Sequence, residues 1–370
     1  MNRLFGLEGI RGYLALWVWV THATTMATLP FEKNHGWGWL LANGDTAVGV
    51  FIVISGFVIA LNVDRSYDGF GRYIVRRAFR LFPVYLVCLF ASVLILDYSI
   101  EILQNMPWQG GRTGDRVRYL LDSKEHFWTH LGLHVLLLHG VVPNALLNST
   151  SYAFMGQAWS LTLEWQFYLV APFLFAVANR FKLSMTYVVP AFVVLLGLPT
   201  FFGQDSFLLG KLYLFFVGYV SYRIYKEFLS GDIDRKRALL LFAILALMSL
   251  VRWKQGFGAL GWCCAFVMLY FVSGRAHGVV KWFFTNRLAT WLGDLSYAFY
   301  CVHMIVLFLC AGLILHVLKV ESQSWYAVWM IAVSLPISLG ASWLLHRVVE
   351  NPMISVGKTI AYRRTLPVAG

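Results

Sequence analysis

The chain has 370 residues, of which 59% are hydrophobic and 13% charged, with a mean hydropathy of +0.65; a water-soluble globule of that composition would lack the polar surface to cover itself. The formal charge of +12 would point to nucleic acid in a soluble protein, but the cytoplasmic loops of a membrane protein carry such a Lys/Arg excess, so the expected partner is the lipid bilayer and not nucleic acid. Aromatic residues make up 17%, including 15 Trp and 18 Tyr, enough for belts at both membrane faces as well as packing between helices.

Taken in chain order, apolar segments of spanning length, roughly 17–25 residues, occur at 10–30, 46–63, 80–98, 162–179, 185–202, 207–224, 237–252, 257–273, 290–317 and 325–347. They predict an all-α polytopic membrane protein with about ten transmembrane helices. A further apolar run, His130 to Val142, is too short to cross and reads as interfacial or re-entrant. Sorting the 30 Lys and Arg by loop places 21 on the side of the N-terminus, among them Arg3, Lys182 and Arg364, and 9 on the other, among them Lys33, Arg112 and Arg116. Both termini are therefore expected in the cytoplasm and the chain in the inner (plasma) membrane, multi-pass. The first span resembles a signal peptide without the usual cleavage pattern after it and is read as retained. No linker or internal repeat breaks the chain, so residues 1–370 read as one transmembrane domain. Cys88, Cys263, Cys264, Cys301 and Cys310 all lie in apolar runs without CxxC spacing, as packing residues rather than metal ligands or a disulfide framework.

An ionisable residue inside a span costs about 2.5–3.5 kcal/mol on insertion scales, which marks each as a functional candidate. His22 follows Arg11 by eleven residues, so the two share a helix face about 16 Å apart along the axis; His22 is either a working imidazole or one satisfied by a neighbouring helix. Arg72, Arg76, Arg77 and Arg80 enter the third span, with Pro83 behind them. Ordinary positive-inside charge accounts for Arg72, whereas Arg76, Arg77 and Arg80 suit bidentate binding of phosphate. The segment Gln157 to Tyr168 opens the fourth span, with Ser160 a candidate N-cap that would place Glu164 in the first turn and Tyr168 one turn further along the same face. Trp159, Trp165 and Tyr168 read either as an interfacial belt or as site lining. In the ninth span Ser296, Tyr297, Tyr300 and His303 form a weaker group, His303 being a second mid-membrane imidazole. After the tenth span, Pro352 reads as a helix stop and Glu350 as a partner for Arg347.

Together these pieces resemble the acyltransferase-3 family of integral-membrane O-acyltransferases. The resemblance rests on the Arg11 to His22 spacing, Phe51-Ile-Val-Ile-Ser-Gly-Phe57, Arg76-Arg-Ala-Phe-Arg-Leu-Phe-Pro83, Trp159-Ser-Leu-Thr-Leu-Glu164 with Gln166-Phe-Tyr168, Leu295 to His303, and Val349-Glu-Asn-Pro352. It implies ten membrane helices and transfer of an acyl group, by default acetyl, onto sugars of surface glycans. It also implies functional roles for the residues at Arg11, His22, Arg77, Arg80 and Glu164. Where many relatives carry an acid before Ser-Gly-Phe this chain has Gly49, which leaves the role of the nearby Asp45 open. The hydrolase-like C-terminal domain of some relatives is not expected here.

The expected reaction takes acetyl-CoA as co-substrate, with no metal, and a carbohydrate or glycan hydroxyl as acceptor. His22 and Glu164 are the expected catalytic residues, Arg11, Arg76, Arg77 and Arg80 the donor-binding ones, and Ser55, Trp159, Ser160, Tyr168, Tyr297 and His303 the lining. In this scheme His22 takes the hydroxyl proton and Glu164 orients the imidazole or the sugar; a covalent acyl-histidine route uses the same residues. Trp108, Tyr119 and Trp128 of the outer loop read as sugar-stacking or belt residues. The rival reading is a transporter or flippase for a glycolipid or polysaccharide precursor, which intramembrane His and Glu also suit.

Overall fold

A backbone buried in lipid must satisfy its own polar groups, and a single chain segment does that only as a helix. The long Leu-, Val-, Ala- and Phe-rich runs of this chain accordingly fold as helices, and no strand occurs among the described residues. The computed structural model describes residues 6–29, 37–65, 69–110, 112–180, 187–201 and 204–363. Arg3, Lys33, Lys182 and Arg364, used above for orientation, lie outside them.

In chain order the helices are α1 (Leu7–Met26), α2 (Trp37–Ala42), α3 (Gly44–Arg65), α4 (Phe70–Leu94), α5 (Leu96–Gln104), α6 (Thr113–Glu125), α7 (Phe127–Val135) and α8 (Trp159–Arg180). They continue as α9 (Val188–Phe201), α10 (Leu208–Ser230), α11 (Arg235–Ser249), α12 (Trp253–Tyr270), α13 (Arg275–Thr285), α14 (Arg287–Gly312), α15 (Gln323–Leu345) and α16 (Asn351–Arg363). Each of the ten apolar segments overlaps one of α1, α3, α4, α8 to α12, α14 and α15. Among the described residues, five stretches are long and apolar enough to cross a membrane: Gly44–Arg65, Phe70–Leu94, Gly156–Ala178, Arg287–Val317 and Gln323–Tyr362. Val189–Pro199 and Phe257–Tyr270 are apolar but shorter.

The chain divides into two compact units. One comprises residues 1–18, 43–66 and 170–296, the other residues 19–42, 67–169 and 297–370. In the first unit α10 packs along α3 at a crossing of bare backbones. A Cβ on Gly56 would stand 2.2 Å from the Phe215 carbonyl oxygen, and one on Gly218 would stand 2.1 Å from that of Val53. The Ser-Gly-Phe element therefore has a packing role: Gly56 permits the crossing, and Phe57, fully buried, lies 5.0 Å from the Phe266 ring and 5.8 Å from that of Trp262.

In the second unit α16 lies along α4. A side chain at Gly357 would meet the Phe79 Cβ at 2.4 Å, so the two helices touch closely there. Pro352 does not stop the helix: a π-helical turn at His346–Glu350 carries α15 into α16. Such wider turns accommodate an extra residue and redirect side chains. Here Glu350 is buried and bonded to His346 (2.9 Å). The partner expected for it, Arg347, lies instead over the Trp343 ring at 5.4 Å.

Candidate functional site

His22 occupies the last two turns of α1, and the residues around it come from two other elements of the second unit. Arg116, on α6, directs Nη2 to His22 Nδ1 at 3.3 Å and to the Thr25 hydroxyl at 2.7 Å. Thr25 lies nearly one turn after His22, and its hydroxyl also donates to the helix carbonyl of Thr21 at 2.9 Å. From α14, the ring of His303 lies 5.2 Å from that of His22, centroid to centroid. His303 is buried, its Nδ1 bonded to the carbonyls of Tyr300 (2.8 Å) and Phe299 (3.2 Å). His22 itself is only half-buried, so it is the more accessible of the two imidazoles.

One turn before His303, the Tyr300 hydroxyl donates to the Gln157 carbonyl at 2.9 Å and lies 2.7 Å from the Ser160 hydroxyl. The Gln157 amide in turn donates to the Cys301 carbonyl at 2.9 Å. These bonds fix the start of α8 on α14. They also correct the expected capping role of Ser160. A 3-10 turn at Gly156–Ala158 leads straight into a helix that already begins at Trp159, so the Ser160 hydroxyl is spent on Tyr300 rather than on a helix end. Glu164 consequently stands beyond the first turn of α8.

Glu164 accepts from the Tyr168 hydroxyl, four residues on. The Arg77 guanidinium lies over the Tyr168 ring at 5.3 Å and over the Tyr73 ring at 5.7 Å. Arg80 interacts electrostatically with Glu164, Glu350, Tyr168 and Tyr297. The Tyr297 hydroxyl donates to the Leu81 carbonyl, two residues before Pro83. Arg76 faces another way, bonding the Tyr362 hydroxyl of α16 at 2.8 Å. Beside His22 stand the Arg116 guanidinium and the His303 ring. On α14, Tyr297 belongs to the arginine group and His303 to the His22 group, one residue set on one helix joining the two.

Arg11 and Ser55, both half-buried, belong to the first unit, on α1 and α3. Trp159 is half-buried at the head of α8, and Trp165 packs edge-on against Phe82 at 4.9 Å. Between α5 and α8 Trp128 is 80% exposed, whereas Trp108 packs on Tyr326 (5.3 Å) and Tyr119 stacks on Tyr152 (4.8 Å). The run from His130 forms α7 and a set of turns that bury three histidines, His130, His134 and His139. The rings of His134 and His139 stack 3.9 Å apart, and the His139 Nε2 donates to the Ala158 carbonyl at 3.3 Å. Burial holds all three imidazoles toward the neutral form, bringing His139 down to about 3. A cleft of about 590 Å³ in the first unit, lined by Asp64, Tyr219, Tyr222, Arg223 and Lys226 among others, is built on ion pairs such as Lys226 to Asp64 at 2.7 Å.

Sequence reasoning did not find Arg116 or Thr25. Both read as ordinary residues of their segments, and nothing in the local pattern announces that a cation of α6 folds onto α1.

Residues 4–347 match the family described as Acyltransferase domain. The chain is also similar to the acyltransferase MdmB of Streptomyces mycarofaciens, with 28% identity over 183 residues, 48% of this chain and 41% of that protein. The match thus spans less than half of the relative's length. No solved structure matches the chain significantly.

Proposed function

The chain belongs to the acyltransferase-3 family, and from that premise we propose that it moves an acyl group, acetyl in the first instance, from coenzyme A to a hydroxyl of a carbohydrate or glycan. The observation that carries this reading is the approach of two imidazoles, His22 and His303, with the Arg116 guanidinium on one of them. Acyl transfer from a thioester needs a group to take the hydroxyl proton and a cation or donor for the carbonyl oxygen. His22, half-buried, supplies the first, and Arg116 supplies the second. Arg76 and Arg77 bind the donor's phosphates, since their planar forks suit phosphate oxygens. Arg80, already among carboxylates, holds the framework through which Glu164, Tyr168 and Tyr297 are placed. In this proposal the two units act as one acyltransferase domain with ten spans and both termini in the cytoplasm of the inner membrane. The donor then arrives from the cytoplasm and the acceptor from outside.

The test is release of coenzyme A thiol when acetyl-CoA is added to the purified chain in membranes that carry acceptor glycans. It is paired with mass comparison of surface glycans from wild-type and deletion cells. Thiol release and a lost acyl increment are expected; a chain that releases no thiol overturns the reading.

A further inference from the structure

The protonation state of each imidazole follows from its partner. A guanidinium only donates, so the His22 Nδ1 lone pair faces Arg116 at 3.3 Å and a neutral His22 carries its proton on Nε2. A carbonyl only accepts, so His303 carries its proton on Nδ1, directed to Tyr300 O and Phe299 O. That leaves His303 Nε2 as a bare lone pair, buried and without a hydrogen-bond partner. Buried polar atoms are nearly always paired, and an exception calls for an explanation. The explanation lies next to it: a donor, Nε2–H of His22, and an acceptor, Nε2 of His303, occupy neighbouring rings 5.2 Å apart.

Charge decides which ring holds a proton gained in the reaction. A positive charge on His22 is opposed by the adjacent Arg116. One on His303 lies deeper from solvent and also feels the Arg116 charge, but it has what His22 lacks, two carbonyl oxygens facing it that stabilise the charged ring.

We propose that His303 is the terminal proton acceptor of a two-imidazole relay that works through His22, an assignment that rests on the acyl-transfer reading above. The acceptor oxygen bonds to the acyl carbon as its proton passes to His22 Nδ1, which Arg116 vacates while keeping its bond to Thr25. The Nε2 proton of His22 passes at the same time to His303 Nε2. When the carbon–sulfur bond breaks, the relay runs in reverse and the proton reaches the departing thiolate through His22. The products are the ester and the free thiol, and both histidines regain their starting tautomers. His303 does not touch the substrate in this scheme; it positions His22 and takes charge from it.

The test uses the full chain in lipid nanodiscs with acetyl-CoA and acceptor glycan, comparing wild type with His303→Gln. The amide oxygen of that variant offers His22 Nε2–H an acceptor in the same place but takes no proton. The expected result is an unchanged donor KM, a kcat lower by about 100-fold, and a rate that keeps rising with pH where the wild type has levelled. A variant with wild-type kcat and pH profile overturns the relay alone. A wild type that releases no thiol overturns the relay and the acyl-transfer reading together. Nitrogen-15 NMR of the histidine rings in the wild-type chain tests the same assignment without a variant: the expected tautomers are Nε2–H at His22 and Nδ1–H at His303, and the opposite tautomer at either ring overturns it.

Discussion

The hydroxyls of Tyr300 and Ser160 lie 2.7 Å apart, and the Tyr300 hydroxyl also holds the Gln157 carbonyl at 2.9 Å. This contact sets the start of α8, and with it Glu164, against the helix that carries His303. Tyr300→Phe removes both bonds and leaves the Gln157 carbonyl short of a donor, at a cost of about 1–3 kcal/mol. Thermal unfolding in detergent should show a lowered Tm, with thiol release reduced several-fold. Ser160→Ala, which spares the Gln157 bond, should be milder in both assays, and equal effects would contradict the shared role of Tyr300.

His22→Ala is expected to lower thiol release by at least about 100-fold, the usual worth of a positioned general base, with insertion and donor binding intact. Arg116→Ala should cut kcat by a similar factor through loss of its donor to the reacting oxygen. Arg116→Lys keeps the charge but not the planar fork that spans His22 and Thr25, so it should recover only part of the rate. Full activity in Arg116→Ala would remove the loop cation from the chemistry.

The arginines of α4 should separate into two classes. Arg76→Ala with Arg77→Ala is expected to weaken coenzyme A binding by about 10-fold or more, since each lost charge-assisted bond is worth about 1.5–3 kcal/mol, and to leave Tm nearly unchanged. Arg80→Ala removes a cation whose charge favours the carboxylates of Glu164 and Glu350, which keep their bonds to Tyr168 and His346, and should lower Tm while leaving donor affinity nearly unchanged. Calorimetric binding and thermal melts on the same preparations decide the matter. A stable Arg80→Ala protein with weakened donor affinity would place Arg80 at the phosphates instead.

The helices were legible because hydrophobic run length alone fixes where a chain in lipid must be helical. The pairing of Tyr168 with Glu164 was legible for a similar local reason, residues four apart on a helix being neighbours. Arg116 on His22 was not, because the contact spans 94 positions and depends on how the segment that carries α6 folds back. Pro352 misled for a related reason. A proline ends a helix only where its missing N–H and its ring cannot be absorbed, and the π-helical turn at His346–Glu350 stands immediately before it. The Ser-Gly-Phe element was singled out as a motif, yet what surrounds Gly56 and Phe57 is a helix crossing and an aromatic core.

That crossing gives a sharp test. Gly56→Val puts a branched side chain where even a Cβ stands 2.2 Å from the Phe215 carbonyl oxygen, so α3 and α10 must move apart and the mutant should fail to accumulate as a monodisperse species. Ser55→Ala, one residue away, should fold normally. Size-exclusion profiles of the two variants side by side give the answer, and a well-behaved Gly56→Val protein would show that the crossing tolerates separation.

Acid should weaken the segment between α7 and α8. Burial holds His134 well below its usual value and His139 down to about 3, with the rings stacked 3.9 Å apart. In the unfolded chain each would titrate near ~6.5. Because the folded value is depressed, the unfolded state binds more protons on acidification. The stability is therefore complete above about pH 6.5 and is lost as pH falls toward the folded value. At pH 5 one such imidazole contributes a loss of about 2 kcal/mol, and His130, lowered by burial beside His126 and against the pull of Asp122, adds to it in the same sense. The Tm of the wild-type chain should accordingly fall between pH 7 and pH 5. His139→Asn removes one titrating ring along with its stacking partner's face, so its Tm should start lower at pH 7 but decline less steeply. An equally steep decline in that variant would assign the acid sensitivity to groups elsewhere in the chain.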